Sequence, residues 1–134
     1  MCLSIKVRRP NDVLAEGEHL GFEWAVVNNG NGYRCGYIRL PVGHPWHGAE
    51  YDDSIVADVE VHGGLTFAEA DKPCHKPGSD DAWWLGFDCA HSHDRQDPFL
   101  PRQIAAFDFP GAKVRSQEYV EEQCRSLCEQ AAAA

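Results

Sequence analysis

The stretch from Trp83 to Asp94, WWLGFDCAHSHD, constrains the fold of this chain more than any other. Its first half, Trp83 to Cys89, is a short run of apolar and aromatic residues, which is typical of a β-strand buried on both faces. Asp88 and His91 follow at the end of that run. A rigid strand that ends in acidic and imidazole groups is a common way to hold reactive side chains in place. The stretch therefore predicts a core strand with candidate functional residues at its exit.

Strand and turn signals before this stretch predict an antiparallel hairpin. The residues from Phe22 to Asn28 and from Tyr33 to Val42 are strand-like, and the intervening NNGNG supplies residues that accept the positive φ of a tight turn. Apolar residues alternate with acidic ones from Ile55 to Val61, which predicts a half-exposed strand. For Asn11 to Gly21 we expect a short helix or a loop.

One clear helix is predicted near the end of the chain, from Ser116 to Gln130. Ser116 is a suitable N-cap, and the apolar residues after it recur with helical spacing. Together with the strands, this helix predicts an α+β fold: a mainly antiparallel β-sheet of about five strands with one C-terminal helix packed on a face. We expect the 134 residues to form a single domain, 1–134.

The charge balance restricts the partners of the protein. The 12 basic and 21 acidic residues give a formal net charge of −9, and an acidic surface repels the phosphate backbone of long DNA or RNA. A small anionic ligand is compatible with this charge, because local backbone N–H groups and a few cationic side chains can bind it. No apolar run approaches the ~20 residues of a membrane span, and the first residues lack the apolar core of a signal peptide. We therefore expect a cytoplasmic protein with reduced cysteines and no membrane or long nucleic acid as partner.

A second candidate segment runs from Val61 to Phe67 and reads VHGGLTF. It presents His62 and then Gly63 and Gly64, and paired glycines allow backbone N–H groups to turn toward an anionic ligand. Thr66 adds a hydroxyl group. The same sequence also fits a tight turn around a structural histidine, so its functional interpretation depends on the other histidines.

The histidines of the two segments predict general acid–base catalysis. His62 and His91 can divide the acid and base roles, and Asp88 can fix the tautomer of His91. His44 is a further catalytic candidate from a polar loop, and Arg34 is the candidate cation for a bound phosphate. The alternative interpretation is a structural aspartate that caps a loop beside a solvated histidine.

Aromatic and acidic side chains complete the predicted ligand site. Tyr37, Tyr51 and Trp84 are candidates for stacking on a nucleotide base, although burial in the core is the ordinary role of such residues. Asp94 is expected to lie in a loop or behind the site as part of its support. His93 is not expected to belong to the site.

No metal or other cofactor is predicted. The alternative is a catalytic zinc ion bound by His44, His62, Asp88 and His91, because three imidazoles and a carboxylate suit zinc with an open position. The chain contains no standard zinc signature such as HExxH or CxxC, which favours metal-free catalysis.

Several sequence blocks form a recognisable series that covers most of the chain. They are RCGY from Arg34, GHP from Gly43, VHGGLT from Val61 and WWLGFDCAH from Trp83, followed by the C-terminal helix. This series resembles a family of small proteins from bacteriophages and bacterial genomes. Phage-borne cytosolic proteins of this size are often inhibitors of host defence, and some bind or destroy nucleotide immune signals.

The resemblance and the residues together predict a phage-type hydrolase that acts in the host bacterial cytosol. The expected reaction is cleavage of a phosphodiester or related bond in a small nucleotide immune signal by histidine acid–base catalysis. The alternative is a non-catalytic anti-defence protein that sequesters such a nucleotide or binds a host factor. Assembly into a homo-oligomer is compatible with either interpretation.

Overall fold

The computed structural model describes residues 12–70, 82–105 and 109–134, and its main feature is an antiparallel sheet of five strands. The strands are β1 (Val13–His19), β2 (Phe22–Asn28), β3 (Arg34–Leu40), β4 (Phe67–Ala70) and β5 (Trp83–Asp88). Their order across the sheet is β1-β2-β3-β5-β4, and each neighbouring pair is antiparallel. A C-terminal helix, α1 (Gln117–Ala133), packs on one face of this sheet. The predicted α+β fold is therefore confirmed.

In the described part of the chain, three short elements accompany the sheet and the helix. The strands β6 (Asp94–Arg95) and β7 (Lys113–Val114) form a parallel pair, and a 3₁₀ turn covers Ser54–Val56. The β6–β7 pair brings the segment after β5 next to the residues that lead into α1. The candidate site lies at this junction.

The strand β5 is the core strand that the sequence predicts. It lies between β3 and β4, and Trp84 and Leu85 are both 0 % exposed although neighbouring residues of a strand face opposite sides of the sheet. Leu85 belongs to the larger core under α1, whereas Trp84 belongs to a smaller core with Tyr37 on the other face. Burial on both faces fixes the end of this strand, so the residues after Asp88 start from a rigid support.

The helix packs closely on β3 because that strand carries a glycine at the point of contact. A Cβ atom at Gly36 would overlap the ring of Phe87 and lie 2.7 Å from Sγ of Cys124. Cys124 and Cys128 are fully buried, and burial raises the pKa of both thiols to about 12. These cysteines therefore fill core space. Within the three described ranges, no helix is long and apolar enough to cross a membrane.

The start of α1 is fixed by a side-chain cap, as predicted. Ser116 is the N-cap, and its Oγ atom accepts a hydrogen bond from the amide of Tyr119 at 3.1 Å. Such a cap stabilises a helix start by about 1 kcal/mol. Because Arg115 precedes the cap and Tyr119 lies in the first turn, the cap also sets where these two side chains project.

The prediction for Asn11 to Gly21 is wrong, because the described part of this segment is mainly the strand β1. The strand ends in a two-residue hairpin in which Leu20 has a φ of 52° and Gly21 a φ of 87°. This left-handed pair suits the twist of a hairpin, but leucine rarely adopts it, so the sequence carries no clear turn signal. The strand also lies at the edge of the sheet, where its side chains are mostly half-buried and alternate only weakly.

The predicted strand from Ile55 to Val61 is also wrong. The segment starts in the 3₁₀ turn and continues without regular structure, and Val56 and Val61 pack on the larger core from there. Its backbone bonds to the helix instead of a neighbouring strand: the amide and the carbonyl of Glu60 both bond to the side chain of Gln130, each at 2.8 Å. The apolar alternation therefore reflects contacts with the core and the helix, and not a place in the sheet.

Candidate functional site

A buried carboxylate, Asp94, is the centre of the candidate site. Its side chain is 0 % exposed and lies at the start of β6. Its oxygens lie 2.9 Å from Nε2 of His62, 2.9 Å from Nδ1 of His91 and 2.7 Å from Nε of Arg115. The backbone amide of His91 donates a further hydrogen bond at 3.1 Å. Because an ionised carboxylate only accepts hydrogen bonds, we assign a hydrogen to each of these nitrogens.

The surroundings of Asp94 keep it ionised. Burial alone would raise its pKa, but the hydrogen bonds from His62, Arg115 and His91 outweigh that effect and hold the pKa of Asp94 well below its usual range. A carboxylate that is removed from solvent is stable in its charged form only with such partners. Asp94 therefore ties three segments of the chain together.

His62 is held at both ring nitrogens. Its Nδ1 atom, on the side away from Asp94, lies 2.8 Å from the hydroxyl of Tyr119 on α1. Its backbone amide donates to Oε1 of Gln123 at 2.8 Å, which fixes the segment before the paired glycines against the helix. The side chain is only 6 % exposed. His62 therefore lies in the site but is enclosed by it.

His91 is oriented by Asp94 and presents its other nitrogen to Asp88. Its Nε2 atom lies 3.5 Å from Oδ1 of Asp88, and its side chain is 28 % exposed. The ring lies directly against Gly63, where a Cβ atom would overlap Cε1 of His91. Gly63 has a φ of 69°, so this position needs glycine both for its backbone conformation and for the space.

His93 brings a third imidazole to the same point, contrary to the prediction from sequence. Its Nε2 atom lies 3.9 Å from Oδ1 of Asp94, and its side chain is 55 % exposed. The rings of His91 and His93 are nearly parallel, with an interplanar angle of 10° and centroids 5.4 Å apart. One ligand atom from each of His62, His91, His93 and Asp94 lies within 4.8 Å of the others, within reach of a single metal ion. We call these four residues and Arg115 the Asp94 cluster.

The cation of this site is Arg115, whereas the sequence predicts Arg34. The side chain of Arg34 is 10 % exposed and pairs with Asp97 at 2.9 Å. Its guanidinium also donates to the carbonyl of Arg115 at 2.9 Å, so Arg34 stabilises the segment that leads into α1. Arg115 itself reaches Asp94 and donates to the carbonyl of His93 at 3.2 Å.

His44 does not belong to the cluster. Its Nε2 atom lies 2.8 Å from the carbonyl of Ala131, and its Nδ1 atom accepts a hydrogen bond from the amide of Trp46 at 3.0 Å. Ala131 and Tyr119 are 12 residues apart on α1 (131 − 119), which corresponds to about 18 Å along the helix axis. Because His62 contacts Tyr119, the two histidines lie at opposite ends of the helix. The zinc set that includes both of them cannot form in this fold.

The predicted stacking residues also lie away from the cluster. Trp84 and Tyr37 are 0 % and 6 % exposed and belong to the smaller core; the indole Nε1 of Trp84 has no hydrogen-bond partner in the described part of the chain. Tyr51 is exposed, but its loop is fixed through Ala49, whose carbonyl accepts a hydrogen bond from Trp83. Trp83 begins β5, whereas the cluster follows the end of that strand, about 17 Å away.

The paired glycines and Thr66 flank the cluster. Gly64 closes the turn after His62, and its amide donates to the carbonyl of Val61 at 2.8 Å. The amide of Thr66 donates to the carbonyl of Gly86 at 2.9 Å and so extends the pairing of β4 with β5. These contacts attach the segment that carries His62 to β5, and His91 follows the end of that strand.

Comparisons of the chain with protein-family models, with curated proteins and with solved structures find no match. The chemistry of the cluster therefore rests on its own geometry. At the junction of three segments, that geometry combines the buried carboxylate of Asp94, three imidazoles that range from buried to exposed, and the guanidinium of Arg115.

From the sequence, the orientation of His91 is assigned to the wrong carboxylate, His93 is excluded, and Arg115 and Tyr119 are not identified. Asp88 is predicted to fix the tautomer of His91, but Asp94 lies closer to that ring, at 2.9 Å against 3.5 Å, and takes this role. Arg115 and Tyr119 have no motif of their own, because they flank the start of an ordinary amphipathic helix. The only local signal is the N-cap at Ser116, which marks the start of the helix and not a function.

Cys89 lies next to the cluster but is not a candidate nucleophile. It is 1 % exposed and belongs to the larger core. Burial, with the nearby charge of Asp94, raises the pKa of its thiol. Since the thiolate is the reactive form of cysteine, the reactive groups of this site are its imidazoles and carboxylates.

Proposed function

We propose that the protein is a hydrolase of a small nucleotide and that the Asp94 cluster is its active site. The supporting observation is the arrangement of His91. The Nδ1 atom of His91 lies 2.9 Å from Asp94, which fixes the ring. The Nε2 atom lies on the side of Asp88, and the ring is partly exposed. An imidazole held in this way can accept a proton from water or give one to a leaving group.

The proposed proton-transfer pair is His91 and His93, in place of His62 and His91. His62 is 6 % exposed and both of its ring nitrogens are bonded, so it supports Asp94 and is not placed to reach a substrate. His93 is 55 % exposed, and its ring lies beside that of His91. We therefore assign the base to His91 and the acid to His93.

In the proposed reaction a water molecule attacks the phosphorus atom of a phosphodiester. His91 takes a proton from the water, and the leaving oxygen takes a proton from His93, so that a phosphomonoester and an alcohol are formed. Arg115 pairs with Asp94 at 2.7 Å and its side chain is 22 % exposed; in the proposed complex its guanidinium lies beside the negative phosphate. The net charge of −9 disfavours long polyanions and so restricts the substrate to a small one.

The resemblance to phage and bacterial proteins supports a nucleotide immune signal as the substrate. Such signals act in the bacterial cytosol, which is the compartment expected from the sequence. Cleavage of the signal would end the host response that depends on it. The biological role in this proposal is therefore inhibition of host defence.

A second route of water activation uses a metal ion at the same place. His62, His91, His93 and Asp94 are within reach of one ion, and this set differs from the zinc ligands considered from the sequence. A zinc ion in such a site makes a bound water more acidic. A chelator distinguishes the two routes, because it abolishes turnover only if the ion is required.

The test of the function is incubation of the purified protein with a panel of cyclic dinucleotides and ADP-ribose derivatives. Heat denaturation then releases any ligand, and chromatography with mass spectrometry identifies it. The proposal predicts that one class of nucleotide is recovered as hydrolysis product. Recovery of the intact nucleotide would instead identify a sequestering protein. Failure to bind or cleave any member of the panel would contradict both.

A further inference from the structure

We infer that the Asp94 cluster binds one divalent transition-metal ion of the zinc class through His62, His91, His93 and Asp94. As a statement about catalysis, this inference rests on the proposed function and takes its metal route, in which His91 and His93 hold the ion and do not transfer protons. As a statement about binding, it rests only on the geometry of the four side chains. Each part of that geometry can be compared with the requirements of a metal site.

The spacing of the ligand atoms suits a small ion. For zinc bonds of about 2.0–2.1 Å, tetrahedral ligand atoms lie about 3.3–3.4 Å from one another. Nε2 of His62 and Nδ1 of His91 each lie 2.9 Å from an oxygen of Asp94, and Nε2 of His93 lies 3.9 Å from one. All four ligand atoms lie within 4.8 Å of one another, so the most distant pair would approach by about 1.5 Å to reach the tetrahedral separation around the ion.

One of the imidazoles already has the outer hydrogen-bond partner that a metal-binding histidine needs, and a second has a carboxylate near that position. Such a histidine donates its other ring N–H to an acceptor, which fixes its tautomer and its orientation. Nδ1 of His62 has the hydroxyl of Tyr119 at 2.8 Å, and Nε2 of His91 has the carboxylate of Asp88 at 3.5 Å. When the ion binds, each ring carries its hydrogen on this outer nitrogen: Tyr119 accepts it from His62, and Asp88 accepts it from His91 after a small approach of the two side chains.

His93 adds a nitrogen that the hydrogen-bond network of Asp94 does not use. The hydrogen bonds of Asp94 come from His62, His91 and Arg115, and His93 at 3.9 Å is too far away to add one. An imidazole that is 55 % exposed could point in many directions. In the structure its ring stacks on that of His91, and its Nε2 atom lies 3.9 Å from the same carboxylate, within the distance of a further ligand.

The local charge and the donor set select the kind of ion. Asp88 and Asp94 contribute two negative charges and Arg115 one positive charge, so the sum with neutral imidazoles is −1 (−2 + 1). This charge attracts a cation. Three nitrogen donors and one oxygen donor favour zinc or a similar transition metal over Mg²⁺ and Ca²⁺, which prefer oxygen. The exposed side at His93 leaves room for a water or a substrate oxygen.

Isothermal titration calorimetry of the full chain with Zn²⁺ tests this inference, and Mg²⁺ is the comparison. We expect one equivalent of Zn²⁺ to bind to the wild type and Mg²⁺ not to bind. The variant His93→Ala removes a ligand from an exposed position, and Tyr119→Phe removes only the outer partner of His62. Both are expected to weaken Zn²⁺ binding by at least about 10-fold. The control His19→Ala removes an imidazole on β1 and should leave binding unchanged.

Two results would overturn the inference. One is a wild type that binds no Zn²⁺; the other is unchanged affinity in both His93→Ala and Tyr119→Phe, because the ion would then lie elsewhere. Circular dichroism shows that each variant is folded. The readout is separate from turnover: hydrolysis without Zn²⁺ binding contradicts only this inference, whereas Zn²⁺ binding without hydrolysis of any nucleotide contradicts only the proposed function.

Discussion

A methyl group at position 63 would collide with the imidazole of His91, whereas one at position 64 would meet nothing within 4 Å. Gly63 and Gly64 have φ values of 69° and 81°, so alanine costs about 1–2 kcal/mol of backbone strain at either position. Only Gly63→Ala should also displace His91 from Asp94. We expect Gly63→Ala to lower kcat/KM by about 10²-fold, and Gly64→Ala to retain most of the activity on the nucleotide that the protein cleaves.

The pair of variants separates contact from strain. Alanine meets about the same backbone strain at both positions. A difference in turnover between the two variants therefore reports the contact with His91. Urea denaturation of each variant measures how far the contact also lowers the free energy of unfolding. Equal turnover of Gly63→Ala and Gly64→Ala would contradict the positioning role of this contact.

The substitution Asp94→Asn tests whether the carboxylate holds the cluster together. An amide has one accepting oxygen and turns its NH₂ group toward donors of His62 or His91, which leaves buried groups unpaired. We expect the free energy of unfolding to fall by about 3 kcal/mol at neutral pH, as measured with urea. The control is Asp52→Asn in an exposed loop, with an expected change below about 0.5 kcal/mol.

The same carboxylate makes a pH-dependent contribution to stability. Because the pKa of Asp94 is lower in the folded protein than in the unfolded chain, its contribution is complete above the unfolded pKa of about 3.9 and is lost as the pH falls toward the folded pKa. The difference in stability between the wild type and Asp94→Asn should therefore shrink as the pH is lowered from about 5 to about 2. A constant difference over this range would contradict the ionised state of Asp94.

At the level of residues, the sequence predicts the segments that form the site but not every contact between their side chains. The sequence pairs His62 with His91, and the structure brings their ring centroids to 5.7 Å. It could not decide which carboxylate orients His91, because Asp88 and Asp94 are each three residues away and the turn after β5 makes the choice. That turn is closed by a hydrogen bond from the amide of Asp94 to the carbonyl of His91 at 2.9 Å.

Among the secondary-structure elements, α1 holds the segment before β4 through two glutamine side chains. Gln123 accepts a hydrogen bond from the amide of His62, and Gln130 bonds to both backbone groups of Glu60. Gln123→Ala should lower the free energy of unfolding by about 1 kcal/mol and also reduce turnover, because it releases the backbone of a cluster residue. Gln130→Ala should lower stability but retain turnover, since its contacts end two residues before His62.

Urea denaturation and kcat/KM of the two glutamine variants measure these effects. The control is built into the comparison, because both variants remove a side-chain amide from the same helix. Loss of turnover in Gln130→Ala together with normal turnover in Gln123→Ala would contradict the positioning role of Gln123. Circular dichroism would confirm that α1 is intact in both.

The elements that the sequence predicts well are those with strong local signals. The β2–β3 hairpin is confirmed, because Oδ1 of Asn28 accepts hydrogen bonds from the amides of Gly30 and Gly32 and so fixes the turn. The helix α1 is confirmed through its N-cap and its apolar stripe. The strand β1 escaped prediction because its turn uses Leu20 in an unusual conformation, and its pairing with β2 depends on tertiary contacts.

For the molecule as a whole, the site depends on sheet order and helix placement. The cluster combines His62 before β4, His91 to Asp94 after β5, and Arg115 before α1. Neighbouring positions of β4 and β5 in the sheet bring the first two segments together, and the β6–β7 pair adds the third. No local sequence pattern predicts that these three segments lie together. Arg115 and His93 could therefore be assigned to the site only from the fold.

The comparison of His91→Ala with the wild type tests this account most directly. The measurement is kcat/KM for the nucleotide that the protein cleaves, with His19→Ala as the control for loss of an imidazole outside the cluster. We predict that His91→Ala loses activity by about 10²-fold or more, while His19→Ala retains the activity of the wild type. Near-normal turnover by a folded His91→Ala variant would contradict the assignment of the Asp94 cluster as the active site.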